Sequence, residues 1–390
     1  MDFALSEEQR LIQQSAREFS DRALAPHAAA FDRGENPEGY VENLRELTRL
    51  GFHGMMVAGE WGGSEVGALA YVLAVAEIGR GCASTGSAMS INNLVTSMLN
   101  QSAGDDQKAR FLHPICTGEK PFAGFCLTES GAGSNPAEMR TAARPAVQNG
   151  QSGWVLNGAK QWISNAGIAE TFLVWACSGE IGSRQITCFI VEGGADGLSI
   201  GPHDEKMGQC ASHTNEVVLE DCFVPDDHIV GELHEGLRLA FGSLDGGRLG
   251  IAALALGIAG AALDYATCYA LEREQFGKKL AEHQGLQWML ADCHTELEAA
   301  RLLLYRAAWL RDAGQPINKE ASMAKLYCTE KGNEICHRAL QILGGYGYMR
   351  EFPLERHVRD IRLTSIYEGT SEIQRIVIAR CLIEEYGQLV

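Results

Sequence analysis

The sequence predicts a mainly α-helical protein with a β domain inserted between two helical parts. Three observations predict this fold class: helical periodicity over residues 1–120, short β-rich runs separated by Gly, Asn and Asp over residues 121–231, and helical periodicity again over residues 232–390. A chain of 390 residues with 46% hydrophobic content can form three packed domains. We expect an N-terminal helical domain, a central β-sandwich or barrel and a C-terminal helical bundle.

The first part begins with a typical helix start. Ser6 is a good N-cap, and Glu7 and Glu8 provide an acidic first turn. The apolar residues that follow fall on roughly one side of a helix: Leu11, Ala16, Phe19 and Ala23. Glycine-rich breaks then separate further predicted helices over residues 40–50, 66–80, 88–101 and 105–117.

The second and third parts differ in the period of their apolar residues. Strands are predicted over residues 171–177 (TFLVWAC), 185–191 (QITCFIV) and 214–219 (TNEVVL). In the third part an apolar stripe precedes Gly314 and Pro316 and comprises Leu286, Leu290, Cys293, Leu297, Ala300, Leu304 and Ala307. We interpret this stripe as the core of a bundle rather than as a coiled-coil seam, because the segment is apolar over more than one face.

Charge and cysteine content exclude several functions. A net charge of −17 gives no positive field for nucleic acid or an anionic membrane, so an anionic substrate would need locally placed cations. The twelve cysteines include no C-x-x-C pair and no metal-ligand cluster, and we expect no metal and reduced, mostly buried thiols in a cytoplasmic protein. The start of the chain resembles no signal or transit peptide. The apolar run Ile251–Leu263 is too short to span a membrane and predicts a buried helix.

Three segments carry candidate chemistry, and each has a plainer alternative. Residues 124–135 (GFCLTESGAGSN) combine glycines and hydroxyls that could bind a pyrophosphate or the polar edge of a flavin, or form a polar turn. Residues 160–165 (KQWISN) place Trp162 and Ser164 on one face if extended, either beside a flavin ring or in a core. Residues 366–375 (IYEGTSEIQR) hold Glu368 beside an aromatic residue, as a desolvated base or as part of a helix start. The chain has no Rossmann, Walker, G-x-S-x-G or H-E-x-x-H motif.

Together and in this order, the motifs resemble those of the acyl-CoA dehydrogenase family over essentially the whole chain. The matching strings are FCLTESGAGS at 125–134, WISN at 162–165, LDGGR at 244–248, REQFGKKL at 273–280, HQGLQ at 283–287, QILGGYGY at 341–348 and YEGTSEIQR at 367–375. Several motifs in family order are far more specific than any one of them. The resemblance implies a non-covalent FAD, a homotetramer built as a dimer of dimers, and electron-transfer flavoprotein as electron acceptor.

The resemblance also implies which residues hold the cofactor. The flavin and its pyrophosphate would meet Phe125, Leu127, Thr128 and the Gly131–Ser134 turn with Gly133 and Ser134, and Trp162 and Ser164 would flank the ring. The adenosine end would be held by residues of the neighbouring subunit: Arg273, Phe276, Gln284, Gln341, Gly344 and Gly345. Thr370 and Glu372 would complete the cofactor site.

For the reaction, the resemblance implies α,β-dehydrogenation of an acyl-CoA, with Glu368 as the base and flavin N5 as the hydride acceptor. Some family members carry the base instead at the position of Gly247, but glycine cannot accept a proton, so Glu368 is the expected base here. The positions that approach CoA are Ser134, Asp245, Arg248 and Arg380.

The substrate is less sharply indicated than the reaction. The strings at 81–93 and 113–120 resemble the isobutyryl-CoA dehydrogenase branch, which implies a short or branched acyl group. Ser130 and Asn135 depart from the usual Glu-Pro and Gly-Ser-Asp of the family and leave the binding of CoA open. The alternatives are an acyl-CoA oxidase, a desulfinase, which Glu368 argues against, and an inactive CoA- or FAD-binding scaffold.

Overall fold

A computed structural model of the chain describes residues 4–387, so both outer limits of the expected domains, residues 1 and 390, lie outside the described part. The first helix confirms the predicted start, since Ser6 Oγ accepts a hydrogen bond from the Gln9 N–H (3.1 Å) and Gln9 Oε1 accepts one from the Ser6 N–H (2.9 Å). The helices of the N-terminal part are α1 (Glu7–Phe19), α2 (Ala28–Asp32), α3 (Pro37–Arg49), α4 (Gly67–Gly81), α5 (Ala83–Ser102), α6 (Asp105–Gln107) and α7 (His113–Thr117).

The middle of the chain forms one eight-stranded sheet in two halves. Its strands are β1 (Ala123–Cys126), β2 (Ala142–Gln148), β3 (Gln151–Ser164), β4 (Thr171–Cys177), β5 (Ile186–Glu192), β6 (Leu198–His203), β7 (Thr214–Pro225) and β8 (Ile229–Val230). The order is β6-β7-β3-β2-β4-β5-β8, and β1 pairs in parallel with β4. Only the pair Ala142–Cys177 joins β2 to β4, and side chains of both halves share one core, so the sheet folds over as a sandwich.

Strand β4 explains why one predicted strand is apolar at every position. Phe172 and Val174 pack inside the folded sheet, whereas Leu173 and Trp175 lie in a second core with α5. Both faces of β4 are therefore buried, and β1, which pairs with β4, lies against α5.

The C-terminal part contains four long helices and one short one: α8 (Gly236–Glu272), α9 (Gln284–Asp312), α10 (Asn318–Leu343), α11 (Leu354–Arg362) and α12 (Ser371–Gly387). A hairpin of β9 (Glu274–Gln275) and β10 (Lys278–Lys279) connects α8 to α9. Helix α8 packs against α4, α5, α9 and α10 and so joins both helical parts. The predicted stripe on α9 faces the core, with Leu286 and Leu290 partly buried at its start.

The apolar run Ile251–Leu263 lies in a buried helix, as predicted, but its shortness does not argue against a membrane span. The run belongs to a 37-residue helix that is long and apolar enough to cross a membrane by length and composition. Most of its apolar window is buried inside the protein, as in the core helix of a globular domain. Burial, not shortness, is the argument against a membrane span.

The twelve cysteines are free, and nine of them are buried.

Candidate active site

Glu368 lies in a left-handed turn just before α12. Its φ is 54° and that of Gly369 is 87°, a backbone conformation that non-glycine residues rarely adopt. Gln374 Nε2 donates to the carbonyl oxygens of Glu368 (3.2 Å) and Gly369 (2.9 Å), and Lys325 Nζ donates to the latter (2.7 Å). Side chains from α10 and α12 therefore hold the turn that aims the Glu368 side chain.

The Glu368 carboxyl group packs against the bare backbone of Gly247 on α8. A Cβ atom built at Gly247 would lie 2.9 Å from Glu368 Cδ, so the glycine makes room for the carboxylate. Although Glu368 as a residue is half-buried, its Oε2 atom is buried and has no hydrogen-bond partner among residues 4–387. Such an oxygen is free to accept a proton from a ligand.

The electrostatic setting of Glu368 suits a general base. Burial raises the pKa of Glu368 to about 7, and the positive charges of Lys325 and Arg248 oppose this rise. A carboxyl group whose pKa lies near neutral pH holds a proton more strongly than an exposed one yet is partly ionised at pH 7.

Asp245 and Arg248, expected near CoA, form a largely buried ion pair in the same turn of α8 as Gly247. Arg248 Nη1 lies 2.8 Å from Asp245 Oδ1 and 3.3 Å from Ser322 Oγ, and its Nε has no partner among residues 4–387. Arg248 is only 5% exposed, and its charge faces Glu368. Arg380 is exposed on α12, so the structure brings Arg248 but not Arg380 to the buried carboxylate.

Trp162 lies at a bulge in β3, which the expectation of a regular strand missed. Its φ is 59°, and the pairing of β3 with β7 shifts register between Lys160 and Ile163. The strict alternation that placed Trp162 and Ser164 on one face is therefore interrupted. The indole of Trp162 is 58% exposed, which excludes the alternative of an ordinary core tryptophan and leaves an apolar surface for a flat ligand.

The loop between β1 and β2 is held by a buried ion pair. Lys160 Nζ lies 2.7 Å from Glu129 Oε1, and Glu129 also accepts hydrogen bonds from the N–H groups of Arg140 (2.6 Å) and Thr141 (3.0 Å). Beyond these contacts, Gly131, Gly133 and Ser134 are exposed, and a Cβ atom at either glycine would meet nothing within 4 Å. The loop is thus fixed at its base and open at its tip, as a ligand cradle requires.

The residues before this loop turn inward. Phe125 is half-buried and its ring packs against Trp175 with centroids 4.3 Å apart, and Leu127 is buried. Thr128 is half-buried, and its carbonyl oxygen accepts a hydrogen bond from the Gln161 N–H (2.9 Å). That bond joins the loop directly to the residue before Trp162.

Comparison with known proteins shows what these elements belong to. Family models of the acyl-CoA dehydrogenase N-terminal, middle and C-terminal domains match residues 6–119, 124–222 and 234–383. The chain belongs to the acyl-CoA dehydrogenase family. It is an oxidoreductase of a family that uses FAD, and the three-domain fold expected from the motifs is confirmed.

Relatives of this acyl-CoA dehydrogenase match it over nearly their full length. The short-chain specific acyl-CoA dehydrogenase of Clostridium acetobutylicum is 40% identical over 97% of this chain and 99% of its own. Butyryl-CoA dehydrogenase of Megasphaera elsdenii superposes with a TM-score of 0.93 at 36% identity, covering 98% of this chain and all of the other. A chain from the study of the electron transferring flavoprotein of Acidaminococcus fermentans gives 0.94 at 38% identity, with 98% and 100% covered.

The residues expected to hold the adenosine end lie at the far end of the dehydrogenase. Arg273 stacks over the Tyr346 ring (5.5 Å to the centroid), Phe276 is 94% exposed at the hairpin tip, and Gln284, Gln341, Gly344 and Gly345 are exposed. From Gly247 to Arg273 the chain follows α8 for 26 residues, about 39 Å at 1.5 Å per residue. One subunit therefore does not bring these residues to its own Glu368.

Thr370 and Glu372 have a structural role in this dehydrogenase. Thr370 Oγ1 accepts a hydrogen bond from the Ile373 N–H (3.4 Å) as the cap of α12, and Glu372 is exposed in its first turn. Residues 366–375 therefore contain both the start of a helix and the candidate base. Residues 4–387 contain no group of three His, Cys, Asp or Glu side chains that could hold a metal.

Sequence reasoning missed Lys325, Gln374, Tyr71 and Ser90, all of which surround the Glu368 site of this dehydrogenase. A signal for Lys325 exists, because it lies in helical phase with the buried residues Ala321 and Cys328. A lysine on the apolar face of a helix is rarely buried unless something requires its charge.

Proposed function

We propose that this chain oxidises a short-chain acyl-CoA thioester to the 2-enoyl-CoA, with Glu368 removing the α proton. The observation that supports this most directly is the buried, unpartnered Glu368 Oε2 atom against Gly247. FAD, when bound, would accept the β hydride. Its flavin end would be held by the Gly131–Ser134 turn and Trp162, and its adenosine end by Arg273, Phe276 and Gln284 of a second subunit.

Bare positions on α8 define where the acyl group would lie. Gly246, Gly247 and Gly250 present no side chain, and the space beside them is bounded by Arg311 at the first, by Glu368 at the second and by two hydroxyl groups at the third. Before Gly246 the helix is exposed at Phe241 and Gly242, whereas after it the helix is buried through Ala259. An acyl-CoA would therefore enter from the exposed end, with its apolar acyl tail pointing toward Gly250.

A pair of hydroxyl groups closes the buried end of this strip. Tyr71 Oη and Ser90 Oγ lie 3.2 Å apart, both residues are buried, and both crowd the place where a Cβ atom of Gly250 would be. Gly250 follows Gly247 by three positions, a rise of about 4.5 Å along the helix. An acyl group with its α carbon at Glu368 has room for only a few carbons, which favours a short chain such as butyryl.

Removing the tyrosine hydroxyl that closes the buried end of this strip should allow the enzyme to accept longer acyl groups. We expect Tyr71→Leu to raise the ratio of kcat/KM for octanoyl-CoA to that for butyryl-CoA about tenfold or more, because each methylene accommodated in a pocket is worth roughly tenfold or more. The matched control is Tyr40→Leu, which removes another buried, hydrogen-bonded tyrosine from the N-terminal helices. Because both substrates are assayed on one sample, loss of folded enzyme cancels. An equal ratio in both variants would contradict the proposal that Tyr71 limits the length of the acyl group.

The pH dependence of the reaction should report the ionisation of Glu368. A base acts only when deprotonated, so activity is present above its pKa and is lost as the pH falls through it. With the pKa of Glu368 raised to about 7 by burial, kcat/KM for butyryl-CoA should fall about tenfold per pH unit below about pH 7. Steady-state rates from pH 5.5 to 9 measure this fall in kcat/KM, which is the acid limb of the pH profile. A rate that stays level down to pH 5.5, as expected for an exposed carboxyl group with a pKa near 4.5, would refute a desolvated base.

The decisive assay mixes the purified holoenzyme with butyryl-CoA without oxygen and follows bleaching of the flavin absorbance. Bleaching supports dehydrogenation, whereas its absence with short, branched and longer thioesters would favour an inactive scaffold. Hydrogen peroxide release in air would instead favour an acyl-CoA oxidase. Branching at the α carbon, as in isobutyryl-CoA, stays a prediction, since the relatives reported above are named for short-chain or butyryl substrates.

We further propose electron-transfer flavoprotein as the electron acceptor, a homotetramer as the assembly and the cytoplasm as the location. The structural match within the Acidaminococcus fermentans study supports the first. Exposed apolar residues of the C-terminal part support the second, among them Phe276, Trp288, Trp309, Ile383 and Tyr386. Free cysteines are consistent with a reducing compartment.

A further inference from the structure

Lys325 is a buried cation to which the proposed reaction assigns no role. Its side chain is fully buried on α10, and Nζ donates a hydrogen bond to the Gly369 carbonyl oxygen (2.7 Å). Lys325 forms no ion pair with a carboxylate of residues 4–387, although the charges of Glu368, Glu330 and Glu372 face it. A buried ammonium without a directly paired carboxylate is costly, so it calls for an explanation.

The backbone that Lys325 binds is strained. Glu368 and Gly369 are two consecutive left-handed residues, and such a conformation in a non-glycine residue persists only where the surroundings impose it. Two buried side chains impose it here, Lys325 from α10 and Gln374 from α12, which converge on the Gly369 carbonyl. Without them the turn could relax and carry the Glu368 carboxylate away from Gly247.

Lys325 also acts on Glu368 through its charge. The groups that face the carboxylate are Lys325 on α10, Arg248 on α8, and the hydroxyls of Tyr71 on α4 and of the adjacent Tyr367. Arg248 is already hydrogen-bonded to Asp245, which neutralises part of its field. Lys325 has no such partner, so of the two charges that of Lys325 favours the ionised form of the base more strongly.

We propose that Lys325 is a positioning residue for proton abstraction, which holds the Glu368–Gly369 turn through the Gly369 carbonyl and provides an unpaired positive charge facing the Glu368 carboxylate. This inference rests on the proposed function, because it assigns Lys325 a task in the reaction of Glu368. It predicts two separable effects, one on geometry and one on charge.

Three variants of the holoenzyme separate these effects, each assayed with butyryl-CoA from pH 5.5 to 9. Lys325→Met removes both the donor and the charge, and we expect its limiting kcat to fall about tenfold or more. We also expect its acid limb to move up by about one pH unit, because loss of a nearby positive charge raises the pKa of a carboxyl group. Lys325→Gln keeps an N–H donor, so its limb should move equally while its limiting kcat falls less. Lys331→Met, which changes a partly exposed lysine on the same helix that pairs with Glu296 and Glu334, should change neither.

The position of the acid limb decides the outcome. A purely structural Lys325 would lower the thermal midpoint and the yield of both Lys325 variants without moving the limb, and an unmoved limb would overturn the inference. If Lys325→Met does not fold, the limb of Lys325→Gln decides alone. A wild-type enzyme that oxidises no thioester would overturn the proposed function and this inference with it, whereas an active wild type with unmoved limbs would overturn the inference only.

Discussion

Replacement of Glu368 by Gln is expected to leave an FAD-containing enzyme that oxidises butyryl-CoA about 10²–10⁴-fold more slowly. The amide has nearly the same shape as the carboxyl group, so it should still fit against Gly247, but it cannot accept the α proton. The buried Oε2 has no hydrogen-bond partner among residues 4–387, so the substitution breaks no contact that holds the fold. Rapid mixing with butyryl-CoA, followed at the flavin absorbance band, measures the loss.

A matched control separates loss of the base from a general effect of removing a carboxylate. Glu384→Gln changes an exposed glutamate on α12, the helix that follows the Glu368 turn, and should bleach at the wild-type rate. Both variants should retain the flavin spectrum and the thermal midpoint of the wild type. Flavin bleaching by Glu368→Gln at the rate of the control would show that another group removes the proton.

A feature of this protein can be predicted from its sequence when the residues that determine it are close together in the chain. The start of α1 was predictable because Ser6 and Gln9 satisfy each other within one turn. The strand TFLVWAC was equally visible, since burial on both faces makes each residue apolar. Glu368 could be identified because its neighbours in sequence form a family motif, although the motif does not show what surrounds the carboxylate.

The missed features depend on contacts between distant residues. Lys325 meets the Gly369 carbonyl across 44 positions, and Tyr71 meets Ser90 only because α4 and α5 pack side by side on α8. The bulge at Trp162 arises from a register shift against β7, which no local pattern in β3 encodes. Local periodicity therefore predicted the three parts of the fold, whereas the surroundings of the base required the tertiary structure.

The ion pair between Glu129 and Lys160 also joins residues that are distant in the sequence. Of the changes considered, its loss should have the largest effect on the free energy of unfolding. Lys160 is fully buried on β3, and the carboxylate has all its close partners in or beside the loop. Although burial alone would raise the pKa of Glu129, the charge and hydrogen bonds of Lys160, with those of Thr141 and Arg140, keep it below its ordinary value. The carboxylate therefore stays ionised at neutral pH and needs its cation.

Lys160→Met should lower the free energy of unfolding by about 3–5 kcal/mol, because it leaves a buried charge without its partner. The same change should weaken FAD binding, since the loop that carries Gly131, Gly133 and Ser134 is anchored at Glu129. Thermal unfolding of the holoenzyme and the fraction of flavin retained on gel filtration measure both effects. Glu129→Gln leaves the opposite charge unpaired and should act in the same direction.

The double variant Glu129→Gln/Lys160→Met distinguishes a paired charge from simple loss of packing. Because it removes both charges, it should recover part of the stability that either single change loses, and the difference measures the coupling between the two side chains. The control is Lys120→Met, which breaks a half-exposed Lys–Glu pair in the same region with Glu192 (3.6 Å) and should cost less than about 1 kcal/mol. Strictly additive losses in the double variant would mean that Lys160 supports the loop by its bulk, and the flavin cradle would then need a different anchor.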